Sequence, residues 1–152
     1  MTLAKSLGNG VPIGACLANI KAAESMIPGS HGSTFGGNPL SARTALAVIE
    51  FMTVNRLADR VSHLGDMMLS RFQKELTNIS AVTNIRGKGL MIGIQLDREC
   101  VDLVARALQK KLLINVTAGN VIRLLPPLTM SEEEMDTIIS IVSCLVKDFI
   151  AE

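Results

Sequence analysis

The chain has no tryptophan, no tyrosine and only four phenylalanines. A pocket that stacks a flat ring on an aromatic side chain has little material here. Histidine is scarce too. His31 and His63 alone are too few for a histidine metal site, and no metal is expected. The three cysteines, Cys16, Cys100 and Cys144, are odd in number and far apart. That argues against a disulfide framework or a Cys-x-x-Cys metal site. Reduced, buried thiols in a cytoplasmic protein are the expectation. An excess of one charge is also lacking. Fifteen basic and fourteen acidic residues leave a net charge of +1, which argues against a nucleic-acid surface. No apolar run reaches the roughly 20 residues that span a bilayer. The longest, Ile138 to Val146, is short and interrupted by serines. Near the start, glycines and Pro12 break any signal-peptide pattern, and Lys5 is the one basic residue there.

What is present is a globular composition, 48% hydrophobic and 19% charged over 152 residues. This suits one domain or a large piece of a bigger one. Residues 1 to 37 are rich in Gly, Ser and Pro and read as loops around short buried pieces such as Ile13 to Ala18. Asn38-Pro39 predicts a helix start, with Asn as N-cap and Pro at the first helical position, running to about Met52. A second helix is expected from Leu57 to Leu76, where Val61, Leu64, Met68, Phe72 and Leu76 recur on one face. Ile85 to Gly89 reads as a turn-like or bulged entry to a strand in which Leu90, Ile92, Ile94 and Leu96 alternate with other residues. Cys100 to Lys111 returns to helical spacing. Leu112 to Val116 and Asn120 to Leu125 are β-prone around Thr117-Ala118-Gly119, which suggests an antiparallel hairpin ended by Pro126-Pro127. Ser131 and Glu134 form a capping-box pattern before the stripe from Met135 to Phe149. The second half therefore predicts an α/β unit of roughly β-α-β-β-α order.

Two segments carry the chemistry. Lys5 lies in Thr2-Leu3-Ala4-Lys5-Ser6-Leu7-Gly8-Asn9-Gly10-Val11-Pro12-Ile13-Gly14. A lysine near a chain start is ordinarily a solvated charge. Apolar, glycine-lined surroundings would instead favour the neutral amine, the form that attacks a carbonyl. Gly14 falls one residue late for a dinucleotide fingerprint, and no strand precedes it. In His31-Gly32-Ser33-Thr34-Phe35-Gly36-Gly37-Asn38-Pro39, Ser33 and Thr34 offer hydroxyls and the glycines let backbone approach an anion. The helix after Asn38 points its positive end back at this loop. An N-capped loop with no ligand is the plain alternative. Together, an amine and a hydroxyl-rich anion loop suit a phosphate-bearing aldehyde cofactor.

Arg123, within Val121-Ile122-Arg123-Leu124-Leu125, either points outward at a sheet edge or points inward and meets a carboxylate. Arg86 has a similar ambiguity, and a structural role is expected for it. Lys88 reads as solvated, Asn115 and Thr117 as hydrogen-bonding residues, and Glu132-Glu133-Glu134 as a helix N-terminal charge cluster.

Thr-Leu-Ala-Lys-Ser-Leu-Gly-Asn-Gly-Val-Pro-Ile-Gly-Ala, His-Gly-Ser-Thr-Phe-Gly-Gly-Asn-Pro-Leu, Ile-Arg-Gly-Lys-Gly-Leu-Met-Ile-Gly and Val-Ile-Arg-Leu-Leu-Pro-Pro-Leu occur in that order. This ordered set, spread over essentially all 152 residues, resembles the class III pyridoxal-phosphate aminotransferases, most closely the acetylornithine aminotransferases. Ser6 and Asn9 depart from the glycine or alanine, and the glycine, that relatives commonly have there. The resemblance implies the C-terminal portion of a fold-type I pyridoxal-phosphate transferase. Residues 1–56 would end the large cofactor domain, and residues 57–152 would form a small α+β domain with a short antiparallel sheet.

The resemblance also implies roles. Lys5 matches the lysine that bonds the cofactor aldehyde and shuttles the proton of transamination. Thr34, with help from the Ser33 backbone, matches the phosphate site reached across a homodimer interface. Arg123 matches the arginine that holds the α-carboxylate of glutamate or 2-oxoglutarate. The implied reaction passes an amino group between N-acetylornithine and 2-oxoglutarate in arginine biosynthesis. Family members are more than twice as long. Their pyridine-nitrogen aspartate, second glycine-rich loop and stacking aromatic lie upstream of the lysine. The chain alone is therefore expected to be inactive, and a non-catalytic remnant or interaction module is the alternative.

Overall fold

The computed structural model describes all 152 residues, which divide into two compact units, Met1–Arg56 and Leu57–Glu152.

In the first unit, β1 (Thr2–Leu3) pairs antiparallel with β2 (Ala15–Cys16), and a 3₁₀ turn over Lys5–Gly8 follows β1. Next come α1 (Ile20–Ala23) and α2 (Pro39–Val54). Asn38 caps α2 with its side chain: Oδ1 accepts from the Ser41 N–H at 3.0 Å and Nδ2 donates to the Phe35 carbonyl at 2.9 Å. Within this unit only Gly8, Ser41 and Ala45 are buried, while Phe35, Leu40, Ile49, Phe51 and Val54 are exposed. The expected buried piece from Ile13 to Ala18 is half-buried or exposed, and only two of its residues form a strand. The apolar residues of α2 run round much of the helix, so one packed face cannot cover them.

The second unit holds the core. The antiparallel hairpin β3 (Val82–Lys88) and β4 (Met91–Leu96) is followed by α4 (Leu103–Gln109), β5 (Asn115–Thr117) and β6 (Val121–Leu124). α3 (Leu57–Leu76) precedes the hairpin and α5 (Glu132–Ala151) ends the chain. The sheet order is β3-β4-β6-β5, antiparallel throughout. Its order is thus β-β-α-β-β, with one strand more than the sequence predicts, because Ile85 to Gly89 belongs to a true edge strand and its turn. One face of the sheet, carrying Ile92, Ile94, Leu96, Ile122 and Leu124, joins Leu64, Met68 and Phe72 of α3 and Met135, Ile139 and Val142 of α5. Ser131 Oγ accepts from the Glu134 N–H while Glu134 accepts from the Ser131 N–H, closing the capping box of α5.

The architecture is α/β with a small antiparallel sheet, as expected. The cysteines differ from expectation. Cys100 is buried and its thiol is pushed up by burial, but Cys16 and Cys144 are exposed. Cys16 sits in a unit with almost no core, and Cys144 lies on the outer side of α5 beside Asp148. No helix is long and apolar enough to cross a membrane, and no three His, Cys, Asp or Glu side chains gather to hold a metal ion.

Candidate functional site

Of the residues singled out from the sequence, Lys5, Ser33 and Thr34 belong to the first unit, on two separate loops, and Arg123 belongs to the second.

Lys5 opens the 3₁₀ turn with a backbone φ of 54°, in the left-handed region that non-glycine residues seldom occupy. Hydrogen bonds from Leu7 N to Ala4 O (3.2 Å) and from Asn9 N to Ser6 O (3.1 Å) fix the turn around it. At Gly8 a Cβ would come within 2.8 Å of Ile13 Cγ2, so the glycine lets the two sides of the loop close. Lys5 is exposed, as are Leu3 and Ala4. The apolar enclosure predicted for the amine is therefore not supplied by Leu3 and Ala4, which are themselves exposed.

The second loop is held from inside. Ser33 Oγ accepts from the Gly36 N–H at 2.9 Å, and a Cβ on Gly36 would collide with the Ser33 side chain. The Ser33 hydroxyl is thus spent on the loop itself, whereas Thr34 is exposed and makes no hydrogen bond with its side chain. The Asn38 cap already takes the Ser41 N–H and the Asn38 carbonyl the Ala42 N–H, so these two donors at the start of α2 are satisfied by the chain.

In the second unit, Arg123 stands on the sheet face opposite the core. Register places it across from Gly93 of β4 and Asn115 of β5, and Gly93 is across from Arg86 of β3. Arg86, Gly93 and Arg123 thus form one row over three strands. Arg86 Nη1 donates to Gln95 Oε1 at 2.9 Å. The row borders an open hollow of about 340 Å³, lined also by Lys88, Met91, Thr117 and Val121. Three cations border it, no carboxylate lines it, and none of the three forms an ion pair. Arg123 is exposed, as in the first of the two alternatives left open for it, but it stands on the inner strand β6 and not at a sheet edge.

The sequence reading missed Arg86, Lys88 and Gly93 as site residues. Counting back from the Gly89-Leu90 turn gives the signal. In a hairpin closed there, Arg86 and Gly93 face each other and share a face with Arg123.

Comparison with known proteins matches the Aminotransferase class-III family to residues 1–146. The acetylornithine aminotransferase of Nitrosomonas europaea is 47% identical over 99% of this chain and 38% of its own length. Among solved structures, an acetylornithine aminotransferase from Elizabethkingia anophelis matches with a TM-score of 0.87 at 33% identity, covering 97% of this chain and 40% of that one. The ornithine δ-aminotransferase of Plasmodium falciparum matches with a TM-score of 0.92 at 31% identity, over 99% of this chain and 39% of that one. The chain spans about two-fifths of the length of the relatives it matches.

Proposed function

The chain belongs to the class-III aminotransferases, and from that premise we propose that it is the part of an acetylornithine-type transaminase that carries the cofactor lysine and a carboxylate-binding arginine. The observation that carries this reading is the 47% identity to an acetylornithine aminotransferase along 99% of the chain. Residues 1–56 then belong to the large cofactor domain and residues 57–152 to the small one. The whole enzyme transfers an amino group between N-acetylornithine and 2-oxoglutarate in arginine biosynthesis, as a cytoplasmic homodimer.

The family is pyridoxal-phosphate dependent, and the donor set here suits that group. Lys5 offers an exposed amine, and Thr34 offers a hydroxyl the loop does not use. When bound, pyridoxal phosphate supplies an aldehyde that carries the amino group and a conjugated ring that accepts electron density from the substrate. Lys5 Nζ would hold that aldehyde, and the same amine would serve as the base that moves a proton at the substrate. Ser33 braces the loop through Gly36, with its backbone available to the phosphate, and Thr34 Oγ1 would offer its hydroxyl to the phosphate across the homodimer interface. Arg123 binds a carboxylate with two parallel N–H donors.

The 152-residue chain alone is proposed to turn over negligibly. The test is an absorbance titration of the purified chain with pyridoxal phosphate, then borohydride reduction and mass spectrometry. A saturable band with label on Lys5 alone supports the cofactor assignment. Label scattered over surface lysines with no saturable band overturns it, and a clear rate with N-acetylornithine and 2-oxoglutarate overturns the inactivity. The second reading, a non-catalytic interaction module, is favoured by the exposed apolar residues of Met1–Arg56, and scattered labelling selects it.

A further inference from the structure

The chain holds five non-glycine residues with positive φ, and two of them, Lys5 at 54° and Asn9 at 45°, bracket one short turn. Asn9 also has ψ 45°, which puts it in the left-handed helical region. Its N–H donates to the Ser6 carbonyl at 3.1 Å and closes the turn that opens at Lys5. Gly10 follows with φ 105°, and the Val11 N–H returns to the Gly8 carbonyl at 2.9 Å. On the other side the chain is tied by β1, where Leu3 pairs with Ala15. Lys5 is thus fixed between a strand that ends two residues before it and a left-handed closure four residues after it.

A left-handed lysine costs free energy that the surrounding structure has to offset. Lys5 is exposed, so burial of its own side chain does not hold it there. The restraint comes from the backbone on either side. After glycine, asparagine is among the residues that enter the left-handed region most readily. A β-branched residue is the reverse case, because it is stiff and favours extended backbone. The φ of a residue sets the direction of its Cα–Cβ bond relative to the chain entering it. Relaxation of Lys5 into the extended region would therefore swing its amine to another side of the loop. Holding one direction before the reaction partner arrives is what raises the rate of a bond-forming encounter.

We infer that Asn9 is a positioning residue for Lys5: its left-handed backbone closes the turn that keeps Lys5 left-handed, and so presents the amine in one direction to a phosphate-bearing aldehyde. The inference rests on the reading of Lys5 as the aldehyde-bonding lysine.

The test is labelling of the full chain with substoichiometric pyridoxal phosphate, fixed with borohydride and read by peptide mass spectrometry. The amine condenses with the aldehyde, water leaves, and borohydride supplies the hydride that makes the bond permanent. The readout is label on Lys5 relative to Lys21, an exposed lysine of α1 in the same unit. The unsubstituted chain is expected to favour Lys5 by about tenfold. Asn9→Val is expected to remove most of that preference, since holding a side-chain-bearing residue left-handed costs about a tenfold population. Asn9→Gly is expected to keep the preference within about twofold, because glycine adopts the same backbone freely. Asn9→Ala should fall between them. Cross-strand NMR signals between Leu3 and Ala15 are expected to persist in all three variants. A preference that survives Asn9→Val overturns the inference and leaves the Lys5 reading standing. So does a loss with Asn9→Gly as large as with Asn9→Val, because the asparagine side chain and not the left-handed backbone is then what matters. Loss of the Leu3–Ala15 signals in every variant with reduced label also overturns it, because the whole loop has then come apart. Absence of any Lys5 preference in the unsubstituted chain overturns both readings.

Discussion

Gly65 of α3 and Gly89 of the β3–β4 turn touch backbone to backbone: a Cβ on Gly65 would sit 2.3 Å from the Gly89 carbonyl oxygen. Gly89 itself has φ +53°, and a side chain there would strike Val61 Cγ1 at 2.9 Å. The helix and the turn approach this closely only because both positions lack a side chain.

Gly65→Ala therefore forces the hairpin turn off α3. The expected loss is about 2–4 kcal/mol, at or beyond the upper end of ordinary overpacking, because the obstructing atoms are backbone. Gly93→Ala is the control. Its nearest contact is an ordinary 3.5 Å to Val121 Cγ1, and it should cost under about 1 kcal/mol. Urea denaturation followed by circular dichroism compares the two, and equal losses would refute the backbone-contact account.

Ser143 is the one buried side-chain polar atom without a hydrogen-bond partner, in the middle of α5. Its hydroxyl gives up water and gains nothing in return. Ser143→Ala is expected to raise stability by about 1 kcal/mol. A clear destabilisation in the same denaturation assay would mean that the hydroxyl finds a partner in solution.

Asn38 is the cap of α2, reaching both Ser41 N–H and Phe35 carbonyl. Asn38→Ala should destabilise the first turn of α2 by about 1 kcal/mol. Amide exchange at residues 40–42 provides the readout, and unchanged protection there would show that the cap is dispensable.

The Glu152 carboxylate accepts two hydrogen bonds from Arg106, at 2.6 and 2.7 Å, and Arg106 also lies 5.5 Å from the Phe149 ring centre. The Arg106 contact holds the Glu152 carboxyl below its usual range, against a smaller opposing effect of burial. A lowered carboxyl means that the folded chain binds the proton less readily than the unfolded chain. The contribution is therefore complete above the ordinary carboxyl range and is lost as pH falls through the lowered value. Glu152→Gln should lower the melting temperature slightly at neutral pH and leave it unchanged in strong acid. At about 1 M salt, where screening acts within roughly 3 Å, the difference should shrink. A gap that persists unchanged in acid would contradict the pairing.

The long helices of the second unit were legible because their burial follows one period. Leu64, Met68, Phe72 and Leu76 are all buried on α3, and Ser131 with Glu134 marks the start of α5. β3 was hidden by its position at the sheet edge. Only Val82 and Ile85 among its residues are half-buried, so the alternation that marks a strand is faint there. Ile13 to Ala18 misled for the opposite reason, since apolar composition suggests burial that Met1–Arg56 does not provide. Thr34 and Ser33 look alike in sequence, and only the Gly36 N–H separates the bracing hydroxyl from the uncommitted one. The grouping of Arg86 with Arg123 depends on strand register, which no residue announces alone.

Every member of the core cluster lies between Leu64 and Val146. Heat absorbed on melting comes largely from apolar contacts and the hydrogen bonds they shelter, so a calorimetric peak from this chain registers chiefly Leu57–Glu152. Divided by all 152 residues, the measured enthalpy comes out below that of an evenly packed protein of the same size.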